Sequence, residues 1–359
     1  MSPPTPSRPT GMTTVLAPTR PRDAGVGSRS VTGSEVIETD LAQLLEAHRR
    51  ELTGFCYRML GAGSEAEDAV QETLVRAWKA YDSFEGRSSI RSWLYRIANN
   101  VCVDMHRTPQ RRARPMDLGP SSTVATAVLR PQAENTFVLP MADSRVIDTE
   151  GDPAELAEAR ESIRLAFVAA LQHLPARQRA VLILCEVLRW SAVEVGELLD
   201  TTVASVNSAL QRARATLADL DVDQLDATVS PEHEELLARY VDAFERYDMT
   251  ALAQLLRDDV VISMPPHDLW LEGPANVIGW MVGPGHECAG SKLVRIDVNG
   301  TAGFASYKPK GDGRWEPWAI QVIEVRDGKI SGHHNFLDDH GGVRLGLFEE
   351  LGLPPYLEG

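Results

Sequence analysis

The spacing of apolar residues changes character once along this chain, and that change limits the folds open to it. Up to about residue 218, apolar side chains recur every three or four positions, the repeat of one helix face. Leu41, Leu44, Leu45, Leu52, Phe55, Cys56 and Met59 make the first stripe. Val70, Leu74, Ala77, Trp78 and Tyr81 make the second, and Ile90, Trp93, Leu94, Ile97, Ala98, Val101 and Met105 the third. The pattern resumes at Leu156 and runs to Leu217. Beyond Val229 two helical stretches, Glu232–Tyr247 and Thr250–Leu256, give way to strand-like runs: Val260–Met264, Lys292–Val298, Ala302–Tyr307, Trp318–Val325 and Lys329–Phe336. Asp327-Gly328 between the last two suits a tight hairpin turn. The expected fold is therefore multidomain, with two all-α helical modules followed by an α+β domain.

Punctuation places the boundaries. The first module is expected over 40–114, with Gly61 and Gly63 ending its first helix and Ser64 with Glu67 boxing the start of the next. Residues 115–151 carry no period and read as a linker. Asp152-Pro153 opens the second module, 152–222, as a helix start with Pro at the first turn. Residues Leu156 to Leu174 are expected on one helix face, and Ser191 with Glu194 forms a second capping box. The α+β domain is expected over 229–359, and the Pro-, Ser- and Arg-rich stretch 1–39 as a disordered tail. Cys56, Cys102, Cys185 and Cys288 are far apart and read as reduced thiols. No apolar run is long enough to cross a membrane, so a cytoplasmic location is expected, with no membrane partner.

The net charge of −15 excludes a protein that simply coats nucleic acid. The distribution is more informative. Arg87 to Arg114 holds many arginines and one acid, Asp104, whereas Asp143 to Glu161 is acidic. A basic helix carrying Arg96, Asn100, Arg107 and Arg111 along one stripe fits a polyanion partner; the plain alternative is a solvated face. Ser191–Leu199 and Val203–Ala218 have helix-turn-helix spacing, with Ala204, Ser205, Asn207, Ser208, Gln211 and Arg212 turned outward. Small residues let such a helix sit deep in a major groove, and Asn, Gln and Arg match base edges. A helical hairpin with a polar face is the competing reading.

Two segments carry a family resemblance. Ala66-Glu67-Asp68-Ala69-Val70-Gln71-Glu72-Thr73, Phe84-Glu85-Gly86-Arg87-Ser88-Ser89 and Trp93-Leu94-Tyr95-Arg96-Ile97-Ala98-Asn99-Asn100 resemble region 2 of the extracytoplasmic-function (ECF) sigma factors. Leu174-Pro175-Ala176-Arg177-Gln178-Arg179 and Val203 to Arg214 resemble their region 4. The resemblance implies that core RNA polymerase (the beta-prime coiled coil and the beta subunit) and promoter DNA are the partners. It implies that Asp68, Gln71 and Glu72 dock on polymerase. It implies that Phe84, Arg87, Ser88, Arg96, Asn99, Asn100 and Arg107 open and contact the −10 element. Thr202, Ala204, Ser205, Asn207, Ser208, Gln211 and Arg212 would then read the −35 element. Asn207 stands where many members carry Lys, which the resemblance implies weakens one phosphate contact and shifts specificity. By the same analogy the linker threads the polymerase near the RNA path.

The last module resembles the SnoaL-like, NTF2-like cone, as fused in the mycobacterial sigma G/J type. Asp258-Asp259-Val260, Met264-Pro265-Pro266, Gly273-Pro274 and Gly352-Leu353-Pro354 carry that likeness. The resemblance implies a regulatory domain with an apolar pocket, for which Trp270, Trp280, Trp318 and His334 are the candidate lining and a small molecule the candidate ligand. The tryptophans also fit as plain core. His333, His334, Asp338, Asp339 and His340 cluster in sequence, but no spacing among them matches a reaction or a metal site. No catalytic residue, cofactor or metal is expected. Two alternatives stand beside the sigma reading: a helix-turn-helix regulator that acts without polymerase docking, and a DNA-tethered SnoaL-like enzyme.

Overall fold

The computed structural model describes residues 41–105, 112–148, 152–218 and 231–359. The N-terminal tail, Arg107 and Arg111 lie outside the described residues.

The first helical module contains α1 (Arg49–Leu60), α2 (Gly63–Ala80) and α3 (Ile90–Met105). Their inward faces join through Leu52, Phe55, Cys56, Met59, Val70, Leu94, Ala98 and Cys102. Gly61 caps α1 in the left-handed conformation, its N–H bonded to Tyr57 O. Gly63 departs from expectation: it begins α2 rather than ending α1, and the N-cap is Ala62. The Ser64–Glu67 box does not form. Glu65 and Glu67 are instead engaged by Arg112 and Arg145, both from the segment after the module. Long-range ion pairs have taken the side chain that a local cap would have used.

The second module runs α4 (Pro153–Glu161), α5 (Leu165–Gln172), α6 (Ala176–Leu182), α7 (Ala192–Leu198) and α8 (Val203–Ala218). Asp152 caps α4, accepting from Ala154 N at 2.8 Å. Ser191 and Glu194 form their capping box at α7. The expected stripe from Leu156 to Leu174 is broken between α4 and α5 at Ser162-Arg164. The break leaves the Ile163 carbonyl free of the helix ladder, and a distant Asn299 takes it.

The C-terminal domain places α9 (Pro231–Glu245), α10 (Met249–Leu255) and α11 (Pro274–Val282) against one sheet. The main strands are β1 (Leu256–Ser263), β2 (Trp270–Glu272), β3 (Lys292–Val298), β4 (Thr301–Gly311), β5 (Arg314–Arg326) and β6 (Lys329–Leu337), and a short seventh, Leu357–Glu358, pairs with the start of β5. Their order is β2-β1-β6-β5-β4-β3, and only β1 and β6 pair in parallel. Asp327 and Gly328 both have positive φ, as a hairpin turn with matching twist requires.

Strand alternation gives this sheet two different neighbours. Phe304, Ile323, Val325 and Ile330 face α9 and α10, with Tyr240, Phe244 and Leu252, and form the interior of the cone. Ala305, Tyr307, Ile320, Val322 and Phe336 face the other way. They share one core with Phe137, Leu139 and Met141 and with Leu165 and Val168 of α5. The described residues between 41 and 359 thus form one packed unit. The linker expectation needs correcting here. Residues 112–148 are not a slack tether: Phe137, Val138, Leu139 and Met141 are buried, and short bridges join Ala113 to Phe137, Ser122 to Leu271, Pro131 to His267 and Ala142 to Val298. An irregular segment can be buried because its backbone groups find partners in both flanking modules.

Candidate nucleic-acid interface and its intramolecular cover

The α7–α8 pair forms a helix-turn-helix whose turn uses Asp200 at a φ of 49°. Val206, Ala209 and Ala213 bury one side of α8. The opposite side, Ala204, Ser205, Asn207, Ser208, Gln211 and Arg212, is exposed. Thr202 sits just before the helix and its Oγ1 accepts from Ser205 N at 3.2 Å, so one of its polar groups serves as a cap. Arg212 donates to Ser208 Oγ at 2.8 Å, which leaves a guanidinium edge above small neighbours. No other described part of the chain covers this face, whose six residues are all exposed.

The first module presents a different picture. Phe84 is half-buried and packs against Trp93 in a tilted arrangement with ring centroids 4.9 Å apart. Arg87 is exposed and pairs with Glu85, and Ser88 is exposed beside it. Phe84, Arg87, Ser88 and Arg96 line one wall of a cleft of about 700 Å³. Glu194, Glu197 and Leu198 of α7 line the other. Arg96 spans to that wall, its Nη2 donating to Glu197 O at 2.8 Å. Arg91 lies over the Trp190 ring at 5.1 Å, and Tyr95 packs on Trp190 at 5.1 Å. A phosphate entering the cleft would meet two carboxylates. Asn100 is exposed on α3, but Asn99 is turned inward at 9% exposure, and its Oδ1 has no hydrogen-bond partner. The expected contact at Asn99 is therefore not presented by this arrangement. By contrast Asp68, Gln71 and Glu72 form an exposed stripe along α2. Glu72 accepts from Arg76 Nε at 2.7 Å, and Gln71 from Arg49 at 3.4 Å.

Comparison with known proteins decides the family. Residues 44–112 match the Sigma-70 region 2 model, 164–217 the Sigma-70 region 4 model and 237–333 the SnoaL-like domain model. The ECF RNA polymerase sigma factor SigG of Mycobacterium tuberculosis H37Rv is 40% identical over 323 residues, covering 89% of this chain and 85% of the relative. The chain belongs to the ECF RNA polymerase sigma factors. SigW of Bacillus subtilis is 30% identical over 176 residues, covering 49% of this sigma factor and 86% of the relative. The crystal structure of Mycobacterium tuberculosis SigJ matches the fold with a TM-score of 0.56 at 23% identity, covering 85% of this chain and 99% of that one. The sigma factor directs RNA polymerase to promoter DNA and initiates transcription, with two helical sigma regions and a C-terminal α+β domain.

One turn of the C-terminal domain ties the sigma regions together. Asn299-Gly300 joins β3 to β4, both residues in the left-handed region with φ of 52° and 67°. Asn299 is fully buried. Its Nδ2 donates to Tyr57 Oη of region 2 at 2.6 Å and to Ile163 O at 2.7 Å. Its Oδ1 accepts from Met141 N at 3.0 Å, and its own N–H donates to Met141 O at 3.0 Å. Gly300 N donates to Asp143 Oδ1 at 2.8 Å. Only glycine fits at 300, because a Cβ there would stand 2.3 Å from Arg160 O. Asn-Gly is a strong hairpin signal, and it lies in plain view between two strand-like runs; sequence reasoning passed over it because a turn's local signal says nothing about what it inserts into.

Two buried arginines complete the joint. Arg58 donates from Nε to Ser162 O at 3.1 Å and from Nη2 to Ser162 Oγ at 2.6 Å, and burial lowers its pKa to about 10. Arg179, in the Leu174–Arg179 motif, is fully buried. It donates to Gln172 Oε1 at 2.6 Å, to Leu174 O at 3.1 Å and to Met59 O at the carbonyl end of α1, where a cation is favoured. Burial raises the Asp143 carboxyl to about 6. Burial, with Glu67 nearby, raises Glu350 to about 7 against the pull of Arg145 and Arg112.

The cone separates the residues that sequence reasoning grouped. Trp280 and Trp318 line its cavity. Trp270 does not; it sits on β2 and donates to Gly119 O at 2.8 Å. His334 also does not, because one residue along a strand changes the face. It lies on the sigma-facing side, 2.8 Å from Ser263 Oγ and 3.3 Å from Glu324. His333 is the residue turned into the cone, 3.0 Å from Tyr240 Oη, with its pKa lowered by burial to about 3. Asp338 caps the turn at Leu347 and Asp339 is exposed. His340 stands 2.8 Å from His267. The five residues thus do not converge on one site. No group of three or more His, Cys, Asp or Glu among the described residues is placed to hold a metal, and no described helix is long and apolar enough to cross a membrane.

Proposed function

We propose that this sigma factor is self-restrained, and that its C-terminal domain is the restraint. The domain's outer sheet face and the Asn299-Gly300 turn hold region 2, the 112–148 segment and region 4 in a fixed relation. In that relation the −10 cleft has an acidic wall of Glu194 and Glu197, with Arg96 occupied by Glu197 O. Asp68, Gln71 and Glu72 remain exposed for polymerase, so docking can precede opening. Phe84, Arg87, Ser88, Arg96 and Asn100 act on the −10 element once region 4 swings away, and Asn99 turns out with them. Thr202, Ala204, Ser205, Asn207, Ser208, Gln211 and Arg212 read the −35 element. The C-terminal domain is regulatory rather than catalytic, a reading favoured by the scatter of His333, His334, Asp338, Asp339 and His340. The protein works in the cytoplasm, beside its polymerase.

The observation that carries this reading is the satisfied, fully buried Asn299 bonded to three separate parts of the chain. Run-off transcription with core polymerase tests it, comparing the wild-type chain with Gly300→Ala. The added Cβ meets Arg160 O and wedges the turn outward. More transcript from Gly300→Ala at equal, limiting sigma concentration supports restraint. Equal or less transcript from a folded variant overturns it.

A further inference from the structure

The cone's cavity is closed on one side by a residue that the cone does not own. The cavity measures about 110 Å³, and Leu129 lines it with Trp280, Met281, Trp318, Asn335 and His340. Leu129 belongs to the segment 119–132, between the two sigma regions, which crosses the cone as a strap. Few bonds hold it. Ser122 N donates to Trp270 O at 2.9 Å, Gln132 N to Pro266 O at 2.8 Å, Gln132 Nε2 to Asp268 Oδ2 at 3.2 Å, Asp268 N to Arg130 O at 3.3 Å and Trp270 Nε1 to Gly119 O at 2.8 Å. Val124, Ala127 and Leu129 pack on the cone core while only partly buried, and Val128 between them is 53% exposed. Segments with few buried contacts open locally at low cost.

We infer that the cone binds an uncharged molecule of about one ring with one hydrogen-bonding group, and that the strap is a wall which the ligand displaces. Size supplies the coupling. An apolar cavity of about 150 Å³ accepts benzene, so this smaller one seats a whole ring only if part of its wall gives way, and the partly buried Leu129, carried on the loosely held strap, is the part best able to yield. Charge selects the ligand. Glu287 at the wall is already paired with Lys308 at 2.8 Å, and His340 faces His267 at 2.8 Å, with burial lowering the pKa of both rings. A charged ligand would find no free counter-ion there, whereas Asn335 and His340 can bond a hydroxyl or carbonyl. A ligand that favours the strap-open state shifts the population toward it. The consequence for transcription rests on the restraint proposed above, because the strap is continuous with Phe137 to Met141 beneath the sigma regions.

The test uses the full chain with p-cresol as the probe, calorimetry for affinity and hydrogen exchange for the amides of 119–132. Two variants act from opposite sides. Leu129→Ala enlarges the cavity. Gly279→Leu lies outside it, on α11, where a Cβ would stand 3.0 Å from Val124 Cγ2 and push the strap away. The expected result is weak binding by the wild type, faster exchange across 119–132 with p-cresol, and affinity raised about tenfold in either variant, the gain from removing a conformational cost of about 1.4 kcal/mol. No binding by wild type or Leu129→Ala overturns the site. Binding with unchanged exchange at 119–132 overturns the strap, and wild-type protein alone decides that arm if the variants fail to fold. A strap that responds while p-cresol leaves transcription unchanged supports this inference and counts against the restraint instead.

Discussion

Replacing Asn299 by Gly isolates the chemistry of the turn from its shape. Glycine accepts the φ of 52° without strain, so the backbone and its bonds to Met141 O and Asp143 can persist. Three side-chain bonds disappear: to Tyr57 Oη at 2.6 Å, to Ile163 O at 2.7 Å and from Met141 N at 3.0 Å. Tyr57 keeps its own bond to Leu139 O at 2.9 Å, so it loses least. Ile163 O and Met141 N are left without partners in a buried site, at about 1–3 kcal/mol each. Water entering the vacated space recovers part of that, which brings the expected loss to about 3 kcal/mol. Urea unfolding of the full chain, followed by tryptophan fluorescence, measures it as a lower midpoint at similar slope. Tyr57→Phe combined with Asn299→Gly should lose less than the sum of the singles, by about 0.5 kcal/mol or more. A loss below about 1 kcal/mol for Asn299→Gly, or strict additivity with Tyr57→Phe, would refute the argument that this side chain holds the joint.

Other tests follow from the same geometry. Glu350 has its carboxyl raised to about 7 chiefly by burial, with Glu67 and Asp338 adding and Arg145 and Arg112 opposing. The folded form therefore holds a proton that the unfolded chain has released above about 4.5. This contribution to stability is intact at low pH and is lost as pH rises through 7. Glu350→Gln should match wild type near pH 4.5 and exceed it at pH 8, by at most about 3 kcal/mol in denaturant unfolding; an equal effect at both pH values would exclude titration as the cause. Arg212→Ala should weaken −35 recognition by about 1–3 kcal/mol in holoenzyme binding and relax specificity at one position. Asn207→Lys should tighten binding across sequences and steepen the salt dependence by about one phosphate, so an unchanged slope would place residue 207 away from the backbone. Glu197→Lys should admit a −10 oligonucleotide to the cleft more readily, measured by fluorescence anisotropy, and no gain would mean that the acidic wall is not the barrier.

The architecture was legible because its signals are local. Helical spacing, the Ser191–Glu194 box, the Asp152-Pro153 start and the Asp327-Gly328 turn all report on residues within a few positions of one another. The exposed faces of α2 and α8 followed from the same periodicity, since whatever is opposite an apolar stripe faces outward. Tertiary structure decided the rest. The Ser64–Glu67 box failed because the helix starts earlier, at Gly63, and Arg145 takes Glu67, and the 156–174 stripe broke where Asn299 claims a carbonyl. His333 and His334 are adjacent in sequence yet serve opposite faces of the sheet, and periodicity alone cannot say which face encloses the cone. The 112–148 segment has no period because its environment has none: it fills space between two modules, and each residue answers to a different neighbour. A chain's own repeat determines which elements form, whereas the identity of what covers each face depends on contacts between residues as far apart as Tyr57 and Asn299.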